Sequence, residues 1–433
     1  MVNQSHFLQQ ANELDQEDSL SSFRDKFHIP KNDQGENLIY FCGNSLGLQP
    51  KSVRSFIEQE LLDWEHLGVE GHTHAKNPWM PYHELLTGHM SEVVGAKPGE
   101  VVVMNSLTVN LHLMMVSFYR PDSKRNKILI EKGAFPSDRY AVWSQIKFHG
   151  FNPEDCLIEI APREGSTYVT QNEVLNAIRQ HGQELALVML GNVNYYNGQI
   201  FDMKSIVEAG HGVGSIVAFD LAHGAGNLIC NLHDTGADFA VWCSYKYLNS
   251  GPGGLSGCFV HERHATNFDL PRFAGWWGHD KASRFRMGPD FMPIPGAEGW
   301  QLSNPPILPM ASLRASLEIF HEAGMSRLRE KSEKMTSFLL QYLEDMEGSM
   351  IQVITPKSLS ERGCQLSIRV HGGDRTLFNT IRQGGVIADW REPDVIRIAP
   401  VPLYNTFSEL YDFGTLLGKE IEKLNGTYRE YQE

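Results

Sequence analysis

Lys246 stands in the run Trp242-Cys243-Ser244-Tyr245-Lys246-Tyr247-Leu248, just past the apolar stretch Phe239 to Cys243 and just ahead of Gly251-Pro252-Gly253-Gly254. An amine at the end of a rigid element, beside a loop that admits a flat molecule, is what Schiff-base chemistry with a cofactor aldehyde requires. Upstream, Asp220 in Phe219-Asp220-Leu221-Ala222-His223 offers a carboxylate that can keep a pyridine nitrogen protonated. That charge turns the ring into an electron sink. In this order and spacing, the two residues point to a pyridoxal 5'-phosphate enzyme.

Other residues suit parts of the same chemistry, and each has a plainer reading. Asn105-Ser106-Leu107-Thr108 follows one strand-like run and opens a helix, so its N–H groups and hydroxyls can hold a phosphate ester or simply cap the helix. Phe135-Pro136-Ser137-Asp138 can set an aromatic ring over a planar cofactor or make a turn. His223, near Gly224 and Gly226, can touch a cofactor or pack beneath it. His72 and His74 have the spacing of two metal ligands on a strand, but no third ligand stands out, and no metal is expected. Arg397, flanked by Ile396 and Ile398, calls for a buried carboxylate, either a substrate's or an internal Asp or Glu.

These side chains need a frame. Between about residues 100 and 260, Val101 to Val103, Ile128 to Ile130, Leu157 to Ile160, Leu185 to Leu190, Ile216 to Phe219 and Phe239 to Trp242 read as buried strands. Val109 to Phe118, Arg139 to Phe148, Glu173 to Gln180 and Lys204 to Gly210 read as the helices between them. Such alternation predicts an α/β fold with a mostly parallel sheet covered on both faces, its ligands gathered at the C-terminal strand ends. The Pro-rich Ser303-Asn304-Pro305-Pro306-Ile307-Leu308-Pro309 predicts a boundary. Beyond it, a long helical region from Met310 to Met346, broken near Gly324, leads into strands at Met350 to Thr355, Gln365 to Val370 and Val395 to Ala399. Helices are expected around Arg375 and Leu410. The expected division is 1–75 as an N-terminal arm with helices, 76–306 as the large cofactor domain, and 307–433 as a smaller α+β domain.

The bulk composition narrows the partners. A net charge of −14 over 433 residues argues against nucleic acid or an anionic membrane, and no run reaches the ~20 apolar residues of a membrane helix. The polar start, Met1 to Asp18, is unlike a signal peptide. The six cysteines are scattered without a Cys-x-x-Cys pair, so buried, reduced thiols and a cytoplasmic protein are expected.

Several strings go further. Phe41-Cys42-Gly43-Asn44-Ser45-Leu46-Gly47-Leu48-Gln49-Pro50, Phe135 to Asp138, Phe219 to His223, Trp242 to Leu248, Ser303 to Leu308 and Arg397-Ile398-Ala399-Pro400-Val401-Pro402-Leu403-Tyr404-Asn405 resemble kynureninase. The likeness runs from about residue 40 to 425. Asn304 and Trp276-Trp277-Gly278-His279 resemble the animal form more than the common bacterial one. The resemblance implies the fold-type I architecture of pyridoxal-phosphate enzymes and a homodimer. It implies hydrolysis of L-kynurenine or 3-hydroxy-L-kynurenine to an anthranilate and L-alanine, in tryptophan catabolism and pyridine nucleotide biosynthesis.

Residue by residue, the resemblance implies that Lys246 carries the cofactor, that Asp220 pairs with its ring nitrogen, and that His223 lies nearby. Leu107 and Thr108 would bind the cofactor, Thr108 at the phosphate. Phe135 would stack on the ring, with Pro136, Ser137 and Asp138 beside it. Tyr245 and Trp276 would line the phosphate and serve proton transfer, with Tyr245 counted among the catalytic residues. Arg397 would clamp the substrate α-carboxylate. His72, Ser45 and Asn304 would meet the aromatic end, and Asn304 would reach the cofactor as well. Where the family often has Ser or Thr touching the cofactor, this chain has Gly191, with Asn192 as a neighbouring substitute. Competing readings are a desulfurase, which needs a reactive cysteine on a mobile loop where Cys364 sits in a strand-like run, an aminotransferase, and a non-catalytic homologue. The last would usually have lost Lys246 or Asp220.

Overall fold

The computed structural model describes residues 4–346 and 350–430. They pack as two compact units: described residues within Met1–Lys51, Asn194–Ile200 and Glu322–Glu433 form the smaller, and Ser52–Val193 with Phe201–His321 the larger.

The larger unit is built on seven strands: β1 (Val101–Met104), β2 (Lys127–Glu131), β3 (Leu157–Ile160), β4 (Leu185–Gly191), β5 (Ile216–Asp220), β6 (Phe239–Cys243) and β7 (Ser256–Val260). Their order across the sheet is β1-β7-β6-β5-β4-β2-β3. From β6 through β3 every pairing is parallel, whereas β7 runs antiparallel to both of its neighbours. Apolar runs such as Phe239–Cys243 are buried at every position, as expected for strands covered on both faces. The covering helices include α1 (Leu107–Phe118), α2 (Pro136–Phe148), α3 (Gln171–His181) and α4 (Met203–Gly212). One core joins Met104, Leu111, Met114, Ile130, Val142, Leu187 and Val241. The strand β7 escapes a reading by alternation, because it returns directly after the Gly-rich turn with no helix before it.

Helix α5 (Ile307–Ala323) begins inside the Pro-rich string, where Pro309 sits in the first turn and sacrifices no helical hydrogen bond. The larger unit runs through α5 to His321, and the smaller resumes at Glu322. Gly324, at φ +76°, breaks the chain before α6 (Met325–Asp345), a left-handed conformation that suits glycine. At the other boundary, the helices Val53–Leu67 and Glu84–Val94 belong to the larger unit, so the arm ends at Lys51 and not at residue 75.

The smaller unit holds an antiparallel sheet of β8 (Ile351–Val353), β9 (Leu366–Val370), β10 (Asp389–Arg391) and β11 (Val395–Ile398), in the order β10-β11-β9-β8. Helices α6, α7 (Arg375–Gln383) and α8 (Phe407–Glu430) join it, and Gln4–Gln16 packs along α8. Its core includes Phe7, Phe338, Tyr342, Ile368, Ile396 and Phe413.

Candidate active site

The C-terminal ends of β1, β5 and β6 and the turn after β2 deliver the suspected residues to one edge of the large sheet, where ligands of open α/β sheets collect. At the end of β1 the chain turns through Asn105, a non-glycine residue at φ +48°. Its amide donates to Asn110 Oδ1 (3.0 Å), and Asn110 Nδ2 donates to the Met104 carbonyl (3.0 Å), which pins the start of α1 to the strand. Ser106 makes no side-chain cap, so the first N–H groups of this 12-residue helix stay available. Thr108 Oγ1 lies 2.8 Å from Ser137 Oγ, in the first turn of α2. Two hydroxyls and a helix N-terminus thus meet where an anion would be stabilised. Pro136 opens α2 at a position that needs no N–H donor, and it leaves Phe135 45 % exposed ahead of the helix.

Lys246 follows β6, and its Nζ lies 3.0 Å from His223 Nε2 and 5.8 Å from the centre of the Phe135 ring. The turn that carries it is held by Ser244, whose Oγ is 2.7 Å from Ser250 Oγ. Ser250 in turn accepts at its carbonyl from Ser312 Oγ (2.8 Å). Gly224 has no room for a Cβ, because the Asn192 side chain occupies that space. Asn192 is buried and its amide approaches Cys230 Sγ, so it packs under the His223 turn, while Gly191 ends β4.

Electrostatics single out two carboxylates. Asp220, at the end of β5, is buried and accepts from the Ala222 N–H (2.6 Å). Asp138, from α2, is buried against it. Burial and the neighbouring Asp220 push the Asp138 carboxyl well above its ordinary range. Burial also raises Asp220, while the Ala222 N–H, Lys246 and a hydrogen bond from Asp138 pull it back. Asp138 is thus the member that holds the proton, and Asp220 the one that accepts from it. Asp138 Oδ1 is buried without a partner. A carboxylate pair carrying a shared proton and an orphaned oxygen is short of one positive charge. A protonated ring nitrogen supplies that charge, so the residues present fit pyridoxal phosphate. Burial raises the Tyr245 phenol, which hydrogen-bonds with Cys243, and Tyr245 therefore stays protonated at neutral pH.

Trp276 is 40 % exposed in a loop where its Nε1 donates to the Arg284 carbonyl (3.2 Å), and that loop walls a cavity of about 340 Å³. Buried Arg284, which the sequence did not reveal, orders the loop by donating to the Trp277 and His279 carbonyls and covering the Trp277 ring at 4.3 Å. Asn304 is exposed. His72 packs edge-on against Trp79, at 5.5 Å between ring centres. Trp79, Trp64, Glu60 and Pro306 to Pro309 line an apolar cavity of about 300 Å³. One wall of this cavity is Trp79, the ring on which His72 packs, and another is the segment that follows Asn304 in the chain. The strand expected for His72 and His74 is instead the short helix Gly71–His74, on which residues two apart point in different directions. Among the described residues, three groups of His and carboxylate side chains converge within ligand distance, and none includes either histidine.

In the smaller unit, Arg397 is buried on β11 and does have an internal carboxylate. It donates to Asp389, its cross-strand partner on β10, and to the Tyr195 carbonyl. Ser45 is exposed after Asn44, whose amide donates to Gln365 Oε1 (2.9 Å).

The fold is that of the fold-type I pyridoxal-phosphate enzymes. The chain superposes on a cysteine desulfurase from Thermococcus onnurineus NA1 with a TM-score of 0.71 at 18 % identity, over 89 % of this chain and 95 % of that one. It matches the cystine C–S lyase C-DES, captured with cysteine persulfide, with a TM-score of 0.73 at 16 % identity, over 88 % and 97 %. Identities this low speak for the fold alone. The sequence relatives are much closer: kynureninases of Myxococcus xanthus (55 % identical, covering 97 % of each chain), Koribacter versatilis (57 %, covering 93 % and 95 %) and Flavobacterium psychrophilum (52 %, covering 96 % and 98 %). The family model for the kynureninase C-terminal domain matches residues 328–417. The chain belongs to the kynureninase family.

Proposed function

We propose that the pocket at the strand ends holds pyridoxal 5'-phosphate and that the chain hydrolyses L-kynurenine, or its 3-hydroxy form, to an anthranilate and L-alanine. Family membership over nearly the full length supports the reaction. The observation that carries the site is the Lys246 amine, 3.0 Å from His223, beside a buried Asp138–Asp220 pair short of one positive charge.

When bound, the cofactor supplies an aldehyde for Lys246 and an electron sink for charge left on the substrate. Every other part falls to the chain. Asp220 would hold the proton on the ring nitrogen, with Asp138 as its protonated neighbour. Thr108, Ser137 and the N–H groups around Leu107 receive the phosphate, and Phe135 behind Pro136 covers the ring. Lys246 Nζ would take the proton from the substrate Cα, and His223 would orient that nitrogen. Water adds to the γ-carbonyl, the Cβ–Cγ bond breaks, and Cβ is protonated. Tyr245, which keeps its phenolic proton, is the donor, and Trp276 is the second proposed member of the proton relay. Arg397 receives the α-carboxylate. His72, Ser45 and Asn304 take the aromatic end, and the apolar cavity walled by Trp79, on which His72 packs, suits a benzene ring. A hydrogen bond to the ring hydroxyl would favour 3-hydroxykynurenine by about fivefold, or ~1 kcal/mol.

The active species is a homodimer. Trp64 and Val69 expose 62 % and 75 % of their surface, with Leu61, Leu62 and Leu308 also exposed, and such side chains favour self-association. The six buried free cysteines fit a reducing compartment, and the cytoplasm is the proposed location. No helix among the described residues is long and apolar enough to cross a membrane.

An absorbance spectrum of the purified protein, followed through addition of each substrate, tests the reading. A visible-edge band that borohydride fixes to Lys246, with anthranilate and alanine accumulating, is the expected result. A colourless protein that takes up no pyridoxal phosphate would sink it.

A further inference from the structure

Arg397 raises a problem that its expected role leaves open. The guanidinium assigned to a substrate carboxylate already holds one. Asp389 stands directly across from it in register on the neighbouring strand, so both side chains leave the same face of the sheet. The same oxygen, Asp389 Oδ2, also accepts from Arg391 (3.2 Å), two residues along β10. Both guanidiniums lie 6.0 Å from the centre of the Tyr195 ring. The Arg397 side chain is 2 % exposed, Asp389 15 % and Arg391 39 %. Two arginines therefore share one carboxylate oxygen. An incoming carboxylate can therefore replace Asp389 on one guanidinium while the other keeps it.

We propose that Asp389 and Arg391 complete the carboxylate receptor: the substrate α-carboxylate takes Arg397 in exchange for Asp389, and Arg391 takes over Asp389. Asp389 is an internal stand-in that keeps Arg397 extended and paired while no substrate is bound. Arg391 sets how readily the stand-in leaves. It is the half-exposed member, so it can follow Asp389 without losing its own hydration. Both are positioning residues that set substrate affinity. The inference rests on the assignment of Arg397 to the α-carboxylate.

The two residues oppose one another, which gives the test its sign. In the holoenzyme, Arg391→Ala leaves Asp389 with no alternative partner and should raise KM for kynurenine about tenfold, the loss falling on KM rather than kcat. Asp389→Asn keeps an acceptor oxygen but removes the competing charge, and it should lower KM about threefold. Combined with Arg391→Ala, it should bring KM back to the wild-type range. The apparent affinity for L-alanine, read from the cofactor spectrum, should follow the same order. Arg391→Lys should recover most of the loss and guards against a folding defect in the Ala variant. If Asp389→Asn raises KM and fails to rescue Arg391→Ala, Asp389 merely props up Arg397 and the exchange is wrong. A separate Arg397→Lys variant checks the underlying assignment. Unchanged KM and alanine affinity there would remove the α-carboxylate from Arg397, whatever the other variants do.

Discussion

Asp220 and Asp238 sit on the same sheet, are both buried, and are driven in opposite directions. Asp238 lies just before β6, at the N-terminal ends of the strands. Burial alone would raise its carboxyl. Hydrogen bonds from His211 Nε2 (2.9 Å), His264 Nε2 (2.8 Å) and Arg263 (2.6 Å) outweigh burial and hold it far below the usual range. The Val217 N–H adds a fourth donor at 2.8 Å. Asp220, at the C-terminal ends, faces another carboxyl, and both members of that pair are raised. One end of the sheet satisfies its buried charge from within the chain, while the other leaves it waiting for a cation. The contrast separates a carboxylate built for stability from one built for a ligand.

The sharpest break in the comparison comes from matched substitutions. Asp220→Asn should cut turnover by several powers of ten, because it removes the charge that keeps the ring an electron sink. It should leave the thermal midpoint of the apoprotein no lower. Lys246→Ala should abolish turnover and borohydride trapping. Asp238→Asn should do the reverse, costing about 3–5 kcal/mol of stability through broken buried ion pairs, with kcat of the surviving folded protein intact. Denaturant titration beside steady-state kinetics reads both, and a swap of the two phenotypes would end the distinction.

A pH titration of apoprotein stability sharpens it further. Asp238 has a depressed folded value, so its contribution is present above the ordinary carboxylate value of 3.8 and is lost as pH falls through the depressed one. Asp138 has a raised folded value, so its contribution is full below 3.8 and is lost as pH climbs through the raised one. The first shapes the acid limb of the stability curve and the second erodes the side toward neutrality. Asp138→Asn should flatten the neutral side by ~1–2 kcal/mol and leave the acid limb alone. Added pyridoxal phosphate should flatten that same side in the wild type. An unchanged slope in both experiments would mean that the Asp138–Asp220 pair is not strained.

Much of the ligand-waiting end was legible in the sequence, and little of the satisfied end was. Lys246 and Asp220 announce themselves through local context, a strand run followed by a glycine-rich turn, and Gly324 announces a helix break by its residue type. Asp238 drew no notice, because its partners come from two separate elements, His211 from α4 and Arg263 with His264 from the turn Glu262–His264, and only the sheet brings them together. Arg397 called for a carboxylate, yet nothing local could choose Asp389, since the choice depends on a cross-strand register. The strand β7 was missed for a similar reason, being defined more by what it packs against than by its own pattern. Local chemistry is written in short strings, while satisfaction of buried charge is written across the fold.

The smallest effect divides the two ends once more. His211, 38 % exposed, is the most exposed of the donors to Asp238. His211→Ala should therefore cost only ~1 kcal/mol, since three donors remain and water can fill the vacated place. Turnover should not change. His223→Ala removes a buried histidine of the other end, one that bonds to Lys246. There the expected cost falls on the rate, about tenfold in kcat, because the lysine amine loses the partner that orients it for proton transfer. Melting curves and kcat for the two alanine variants make the measurement. If His211→Ala slows turnover as much as His223→Ala does, the N-terminal cluster is coupled to the chemistry across the length of β5 and β6, and the division of labour between the two ends fails.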